Sequence, residues 1–215
     1  MGPVMTPARD ALARLREGNQ RFASGVRSLD ALLTQTRRGV PATDQNPFAI
    51  VLGCSDARVP AEVIFDQGLG DLFVIRVAGN IVAPSQVGSV EFAAARFGTA
   101  LVVVLGHTQC GAILATIENI RTPTSSSPNL RSIVDRIRPA VETVLATGLE
   151  VDDDRLVRQA VRANVRASAD HLRHGSALLE QLIQGGRLAV VGAEYSLETG
   201  EVDFFDGAVS DRPAP

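Results

Sequence analysis

A mainly parallel α/β fold is what this sequence predicts, and three observations predict it. Four short runs, FAIVLG (48–53), LFVIRV (72–77), LVVVLG (101–106) and LAVVGAEY (188–195), are apolar and β-branched at consecutive positions, as strands buried on both faces are. Helix-like stretches lie between them: PAEVIFDQ, SQVGSVEFAAARF and CGAILATIENI. Alternation of this kind calls for a central parallel sheet flanked by helices and joined by right-handed crossovers. The 215 residues, 45% of them hydrophobic, suit one domain over 1–215 with a sizeable core.

The elements follow in order. Thr6 before Pro7 is a helix start, a capping hydroxyl ahead of a proline whose missing N–H does no harm. Leu12, Leu15, Asn19 and Phe22 share one face of that helix, and Gly25 ends it. A second helix is expected over about 30–38, stopped by Gly39-Val40-Pro41, so that residues 6–40 form an N-terminal helical arm. After the third strand-and-helix unit, RTPTSSSPN (121–129) is a polar surface loop. Helices are expected over about 130–146, where Pro139 introduces a bend, and over 153–184 as one piece. Leu197-Glu198-Thr199-Gly200 reads as a hairpin turn into EVDFF, and 208–215 is a frayed tail.

Composition narrows the function. A formal net charge of −3 gives no electrostatic footprint for nucleic acid. The apolar runs are too short to span a bilayer. The N-terminus lacks the pattern of a secretory signal, and Gly2 with Thr6 is a chance match to a myristoylation site. A cytoplasmic location is therefore expected, where Cys54 and Cys110 stay reduced. Two thiols in such a compartment point to metal or catalysis, with a disulfide as the alternative. No G-x-G-x-x-G or Walker-type loop follows a strand, which leaves a nucleotide-binding protein without its motif.

The chemistry concentrates at two matched strand ends. FAIVLGCSDAR and LVVVLGHTQCGA share a layout of apolar strand, glycine and then metal-capable residues. Ligands of parallel α/β sheets bind beyond the carboxyl ends of strands. If the two strands are neighbours, Cys54 and Asp56 converge with His107 and Cys110. Taken singly, each is a structural residue, such as a buried thiol or a hydrogen-bonded imidazole. Together they are a zinc donor set, catalytic with three protein ligands and closed with four. Asp56 and Arg58 are expected on one side of an extended segment, where the arginine can hold the carboxylate ionised.

At these residues the sequence resembles the β-class carbonic anhydrases. CSDARVPAE with a downstream GHTQCGA matches their C-x-D-x-R and H-x-x-C signatures, and EGNQRF, IFDQGLGD, IRVAGN and VEFAAARFG extend the likeness from about Arg9 to Gly200. The resemblance implies a lyase that hydrates carbon dioxide reversibly to bicarbonate and a proton through zinc-bound hydroxide. It implies one Zn²⁺ per subunit on Cys54, His107 and Cys110, with Asp56 and Arg58 as the catalytic dyad. In some members the equivalent of Asp56 becomes a fourth metal ligand and closes the enzyme. A rise in activity over roughly pH 7 to 8.5 is expected from ionisation of the zinc-bound water and from that switch.

For the substrate pocket the resemblance implies Gln45, Phe73, Phe92 and Gly111, the last through its backbone N–H. Arg76 and Tyr195 match two residues of an inhibitory bicarbonate site known in certain bacterial members. Val51 stands where those members carry tryptophan, which puts bicarbonate control in doubt. The family's unit implies a homodimer or homotetramer, with Phe92 facing a neighbouring subunit's site and the small molecules CO₂ and bicarbonate as the other partners. Two alternatives remain: a carbonyl sulfide or carbon disulfide hydrolase on the same scaffold, and a non-catalytic zinc-binding or redox-sensing module. Arg58 argues against the second, because a closed structural site has no use for an arginine that manages its carboxylate.

Overall fold

The computed structural model describes residues 6–36, 45–123, 127–147, 153–207 and 209. Its strands are β1 (Ala49–Gly53), β2 (Leu72–Arg76), β3 (Leu101–His107), β4 (Ala189–Tyr195) and β5 (Val202–Asp206). They form one sheet in the order β2-β1-β3-β4-β5. The first four run parallel, and β5 returns antiparallel to β4 through the expected 197–200 turn. The α/β architecture read from the sequence is therefore the one observed.

The helices are α1 (Ala8–Ala23), α2 (Leu29–Thr36), α3 (Ala61–Ile64), α4 (Pro84–Phe97), α5 (Gly111–Arg121), α6 (Pro128–Leu145), α7 (Asp153–His174) and α8 (Ala177–Gln184). Strict alternation in β1 explains their placement on two faces. Ala49 and Val51 join Leu15 of α1 and Ile64 of α3 in one apolar cluster, whereas Ile50 and Leu52 join Val90 of α4, Val165 of α7 and Leu179 of α8 in another. A third cluster lies past the strands' carboxyl ends. There α5, α6 and α7 contribute Ile113, Ile137 and Val161 around Cys54 and Cys110.

Several local expectations change. Pro7, not Thr6, occupies the capping position of α1, and no side chain caps it. The stretch expected as a single helix over 153–184 breaks at Gly175. There Ser176 starts a new helix by accepting the Leu179 N–H at 3.2 Å and by donating its hydroxyl to Glu91 of α4. A serine that finds both a cap and a partner on another element outweighs helix continuation. Helix α6, with Pro139 inside it, is the helix expected over about 130–146. The arm splits in character: Ala11 and Leu15 bury α1 in the body, while α2 exposes Leu29 and Leu33. Gly2, the Gly39-Val40-Pro41 stop, residues 124–126 of the polar loop and all of the tail but Val209 lie outside the described residues. No helix among the described residues is long and apolar enough to cross a membrane.

Candidate metal centre and active site

β1 and β3 are neighbours, with Gly53 beside Leu105. The chain winds from β1 outward to β2, then returns past β1 to β3 and β4. The direction of winding thus reverses between β1 and β3, which is where parallel sheets open a crevice for ligands. Cys54 emerges from β1, His107 ends β3, and Cys110 directly precedes α5. One ligand atom from each lies within 4.8 Å of the others, and all three residues are buried.

Each of these atoms is oriented by a second contact. The His107 Nδ1 meets the Thr108 carbonyl at 2.9 Å. A carbonyl only accepts, so Nδ1 carries a proton, and in the neutral ring Nε2 keeps its lone pair. That Nε2 is buried and has no hydrogen-bond partner. A buried lone pair aimed at two sulfurs is costly unless something occupies the space between them. The donor set of two sulfurs and one imidazole nitrogen fits borderline-soft Zn²⁺. Cys54 and Cys110 are free thiols rather than a disulfide.

The two sulfurs are shifted in opposite directions, Cys54 toward the thiolate and Cys110 toward the thiol. The Cys110 thiol lowers the Cys54 pKa, burial opposes this, and the N–H groups of Asp56 and Gly79 add to the lowering. Contact with Cys54, together with burial, raises Cys110, and the Ala112 and Ile113 amides at the start of α5 act the other way. Those amides sit at a helix N-terminus, where negative charge is favoured.

Asp56 and Arg58 do meet, but not across an extended segment. The chain turns at 57–58, and the Val59 N–H donates to the Asp56 carbonyl at 3.0 Å. The carboxylate accepts the Arg58 backbone N–H at 2.9 Å, Nε at 3.0 Å and Nη2 at 2.8 Å. A turn delivers both donors to one acid, which alternation along a strand would not. The Arg58 side-chain hydrogen bonds hold the Asp56 carboxyl well below the usual carboxylate range, against a smaller penalty from burial. Asp56 Oδ2 stands 4.0 Å from His107 Nε2, so the acid borders the Cys54–His107–Cys110 trio.

The remaining expected residues are placed as follows. Gln45 is exposed ahead of β1, and Gly111 is exposed at the first turn of α5 with nothing within 4 Å of where a Cβ would stand. Phe73 of β2 and Phe92 of α4 have ring centroids 6.2 Å apart, and both pack on Phe97. Phe73 is partly buried and packs against the cluster that α4 and α7 help to form. Phe92 is 54% exposed. Val51 is buried inside β1, and Tyr195 packs on Phe22 of α1. Arg76 donates Nε to the Cys54 carbonyl at 3.0 Å and Nη2 to the Asp56 carbonyl. It clamps the segment that carries both Cys54 and Asp56, a role its sequence context does not announce. The Gly79-Asn80 turn is also a site element, and only its turn-forming dipeptide marks it in the sequence.

Fold and site together define an α/β protein in which two cysteines and a histidine that could hold a metal ion meet at the switch point of its sheet. The family model for carbonic anhydrase matches residues 49–202. Carbonic anhydrase 2 of Mycobacterium tuberculosis is 38% identical over 89% of this chain and 90% of its own length, and the carbonic anhydrase of Mycolicibacterium smegmatis is 36% identical over 88% and 89%. Among solved structures, the β-carbonic anhydrase CafA of Aspergillus fumigatus superposes with a TM-score of 0.70 at 25% identity, covering 94% of this chain and 92% of its own. A tetrameric β-carbonic anhydrase of Sordaria macrospora shares the fold, with a TM-score of 0.68, 22% identity and coverage of 76% and 83%. The chain belongs to the β-carbonic anhydrase family and is an enzyme of that kind.

Proposed function

We propose that this enzyme hydrates carbon dioxide reversibly to bicarbonate and a proton, with Cys54, His107 and Cys110 holding Zn²⁺. Zn²⁺ supplies Lewis acidity and lowers the pKa of a coordinated water from about 15.7 toward about 7, a magnitude that comes from carbonic anhydrase itself. The observation that carries the proposal is the pinned acid. Asp56 is ionised, held at both oxygens by Arg58, and borders the trio at 4.0 Å from His107 Nε2. A carboxylate in that position accepts a hydrogen bond from the nucleophilic water and turns its lone pair toward the carbon of CO₂. Arg58 keeps Asp56 from drifting onto the metal-binding atoms.

CO₂ offers only two oxygens to a binding site, so its pocket needs few donors and mostly apolar walls. The Gly111 N–H and the Gln45 amide are the donors in this proposal, and Phe73 and Phe92 are the apolar walls. The exposed Phe92 serves the site of a neighbouring subunit in a homodimer or homotetramer, in line with the tetrameric Sordaria relative.

The test combines metal content with stopped-flow CO₂ hydration from pH 7 to 9, beside a carbonyl sulfide hydrolysis assay. One zinc per chain with rapid CO₂ hydration is expected, and Asp56→Asn is expected to keep zinc but lose roughly a hundredfold or more in turnover. Zinc bound with no CO₂ hydration at any pH overturns the proposal, as does turnover of carbonyl sulfide alone.

A further inference from the structure

We infer that Asn164 and Ser168 of α7 are positioning residues for the Cys54 sulfur, acting through the backbone turn at 78–80. The inference rests on the metal-site proposal above. Asn164 and Ser168 are four residues apart and therefore share one face of α7. Both are buried, at 2% and 6% exposure. Their helix neighbours on that side, Val161 and Val165, belong to apolar clusters. Polar side chains on such a face are destabilising unless hydrogen-bonded.

Their partners are two consecutive carbonyls. Asn164 Nδ2 donates to the Gly79 carbonyl at 2.8 Å, and Ser168 Oγ donates to the Asn80 carbonyl at 3.0 Å. The turn they hold is unusual, because Gly79 and Asn80 both have positive φ, 68° and 43°. A β-carbon at Gly79 would also stand 2.7 Å from Ile137 Cδ1 and 3.1 Å from Ala112 Cβ. Two left-handed residues in succession persist only where their surroundings fix them. Here α7 fixes them from one side, and the Asn80 N–H to Val77 carbonyl bond at 3.0 Å closes the turn.

The product of this geometry is one hydrogen bond. The Gly79 N–H points at Cys54 Sγ, 3.3 Å away. A thiolate that accepts an N–H is fixed in direction and carries less charge toward a metal. Gly79 supplies the donor, but a backbone N–H cannot be aimed by its own residue. The aim comes from residues 85 and 88 positions further along the chain.

The experiment uses the full-length protein loaded with Zn²⁺ or Co²⁺. Asn164→Asp, which keeps shape but loses the amide donor, and Ser168→Ala are compared with Ser168→Thr, which keeps the hydroxyl. Ala169→Gly loosens the same buried helix without touching the turn and serves as the stability control. Zinc affinity is read by chelator competition, sulfur-to-cobalt charge transfer by its near-ultraviolet band, and folding by thermal melts.

The expected result is roughly tenfold to hundredfold weaker zinc binding in Asn164→Asp and Ser168→Ala, with a displaced cobalt band. Ser168→Thr and Ala169→Gly should bind zinc and show the band as the wild type does. If Asn164→Asp and Ser168→Ala lose only thermal stability, with affinity and band unchanged, the two residues merely brace the fold and the inference falls. If Ala169→Gly shifts the band equally, it falls as well. A wild type that takes up neither metal overturns the site proposal itself, a distinct outcome visible before any variant is made.

Discussion

Arg58 grips both carboxylate oxygens of Asp56, Nε to Oδ1 at 3.0 Å and Nη2 to Oδ2 at 2.8 Å, beside the lone pair of His107 Nε2. The guanidinium is largely exposed, so its removal disturbs packing little. What it removes is the clamp. Arg58→Ala is expected to lower CO₂ hydration roughly a hundredfold, the scale on which a misplaced catalytic group costs rate, with zinc content unchanged. Arg58→Lys should recover little of this, because an ammonium cannot make the two-pronged contact. Turnover within twofold of wild type in Arg58→Ala would remove the arginine from the mechanism.

The same clamp assigns the pH profile. The Asp56 carboxyl is lowered, chiefly by the Arg58 side chain. A lowered carboxyl pKa means that the ionised form is present above it and lost only as pH falls through it, far below neutrality. A rise in turnover between about pH 7 and 8.5 therefore belongs to the nucleophilic water and not to titration of Asp56. Asp56→Asn is expected to reduce the amplitude of that rise while leaving its midpoint within about half a pH unit. A midpoint that moves by a full unit or more would tie the profile to Asp56.

A second pinned acid holds the N-terminal arm. The Asp66 carboxylate, with no exposed surface, accepts Arg21 Nε at 2.6 Å, Arg27 Nε at 2.9 Å and the Ser28 N–H at 2.9 Å. Burial pushes this carboxyl up, and hydrogen bonds from Arg21, Arg27 and Ser28 more than reverse it, leaving the pKa lowered. Its stabilisation is then fully present above the unfolded carboxyl pKa of about 3.9 and lost as pH falls through the folded value. Asp66→Asn should cost about 2–3 kcal/mol at pH 7, toward the low end for a buried pair because both arginines keep partial contact with water. The gap between variant and wild type in chemical denaturation should shrink below about pH 4. A gap that is equal at pH 7 and pH 3 would contradict this assignment.

How much of this was legible in the sequence follows physical lines. β1 and β3 were readable because a buried parallel strand is apolar at consecutive positions. Their matched ends mark Cys54, Asp56, His107 and Cys110 as one group. Arg58 meets Asp56 through a turn and not through an extended segment, since the 57–58 turn depends on local hydrogen bonds that alternation cannot signal. Ser176 as a helix start leaves no local signal because its decisive partner, Glu91, lies 85 residues away. Asn164, Ser168 and the clamp by Arg76 were illegible for the same reason. Their partners are backbone carbonyls, which leave no residue-type signature.

Helix α2 carries the last prediction. Leu29, Leu32 and Leu33 are 68%, 39% and 58% exposed, and Val26 just ahead is 59% exposed. Spacings of three and four residues set the leucines on one flank, an apolar surface that a chain in isolation has no reason to present to water. A second copy of the chain is the occupant expected, because the oligomer proposed above needs an apolar contact surface and this flank offers one. Light scattering at micromolar concentration should give at least twice the mass of one chain. The double variant Leu29→Glu, Leu33→Glu places two charges on that flank, and burying unpaired charge is unfavourable. It should therefore shift the protein toward smaller species without unfolding it, as both side chains are exposed. An unchanged mass in the double variant would place the subunit contact elsewhere, and a monomeric wild type would remove it.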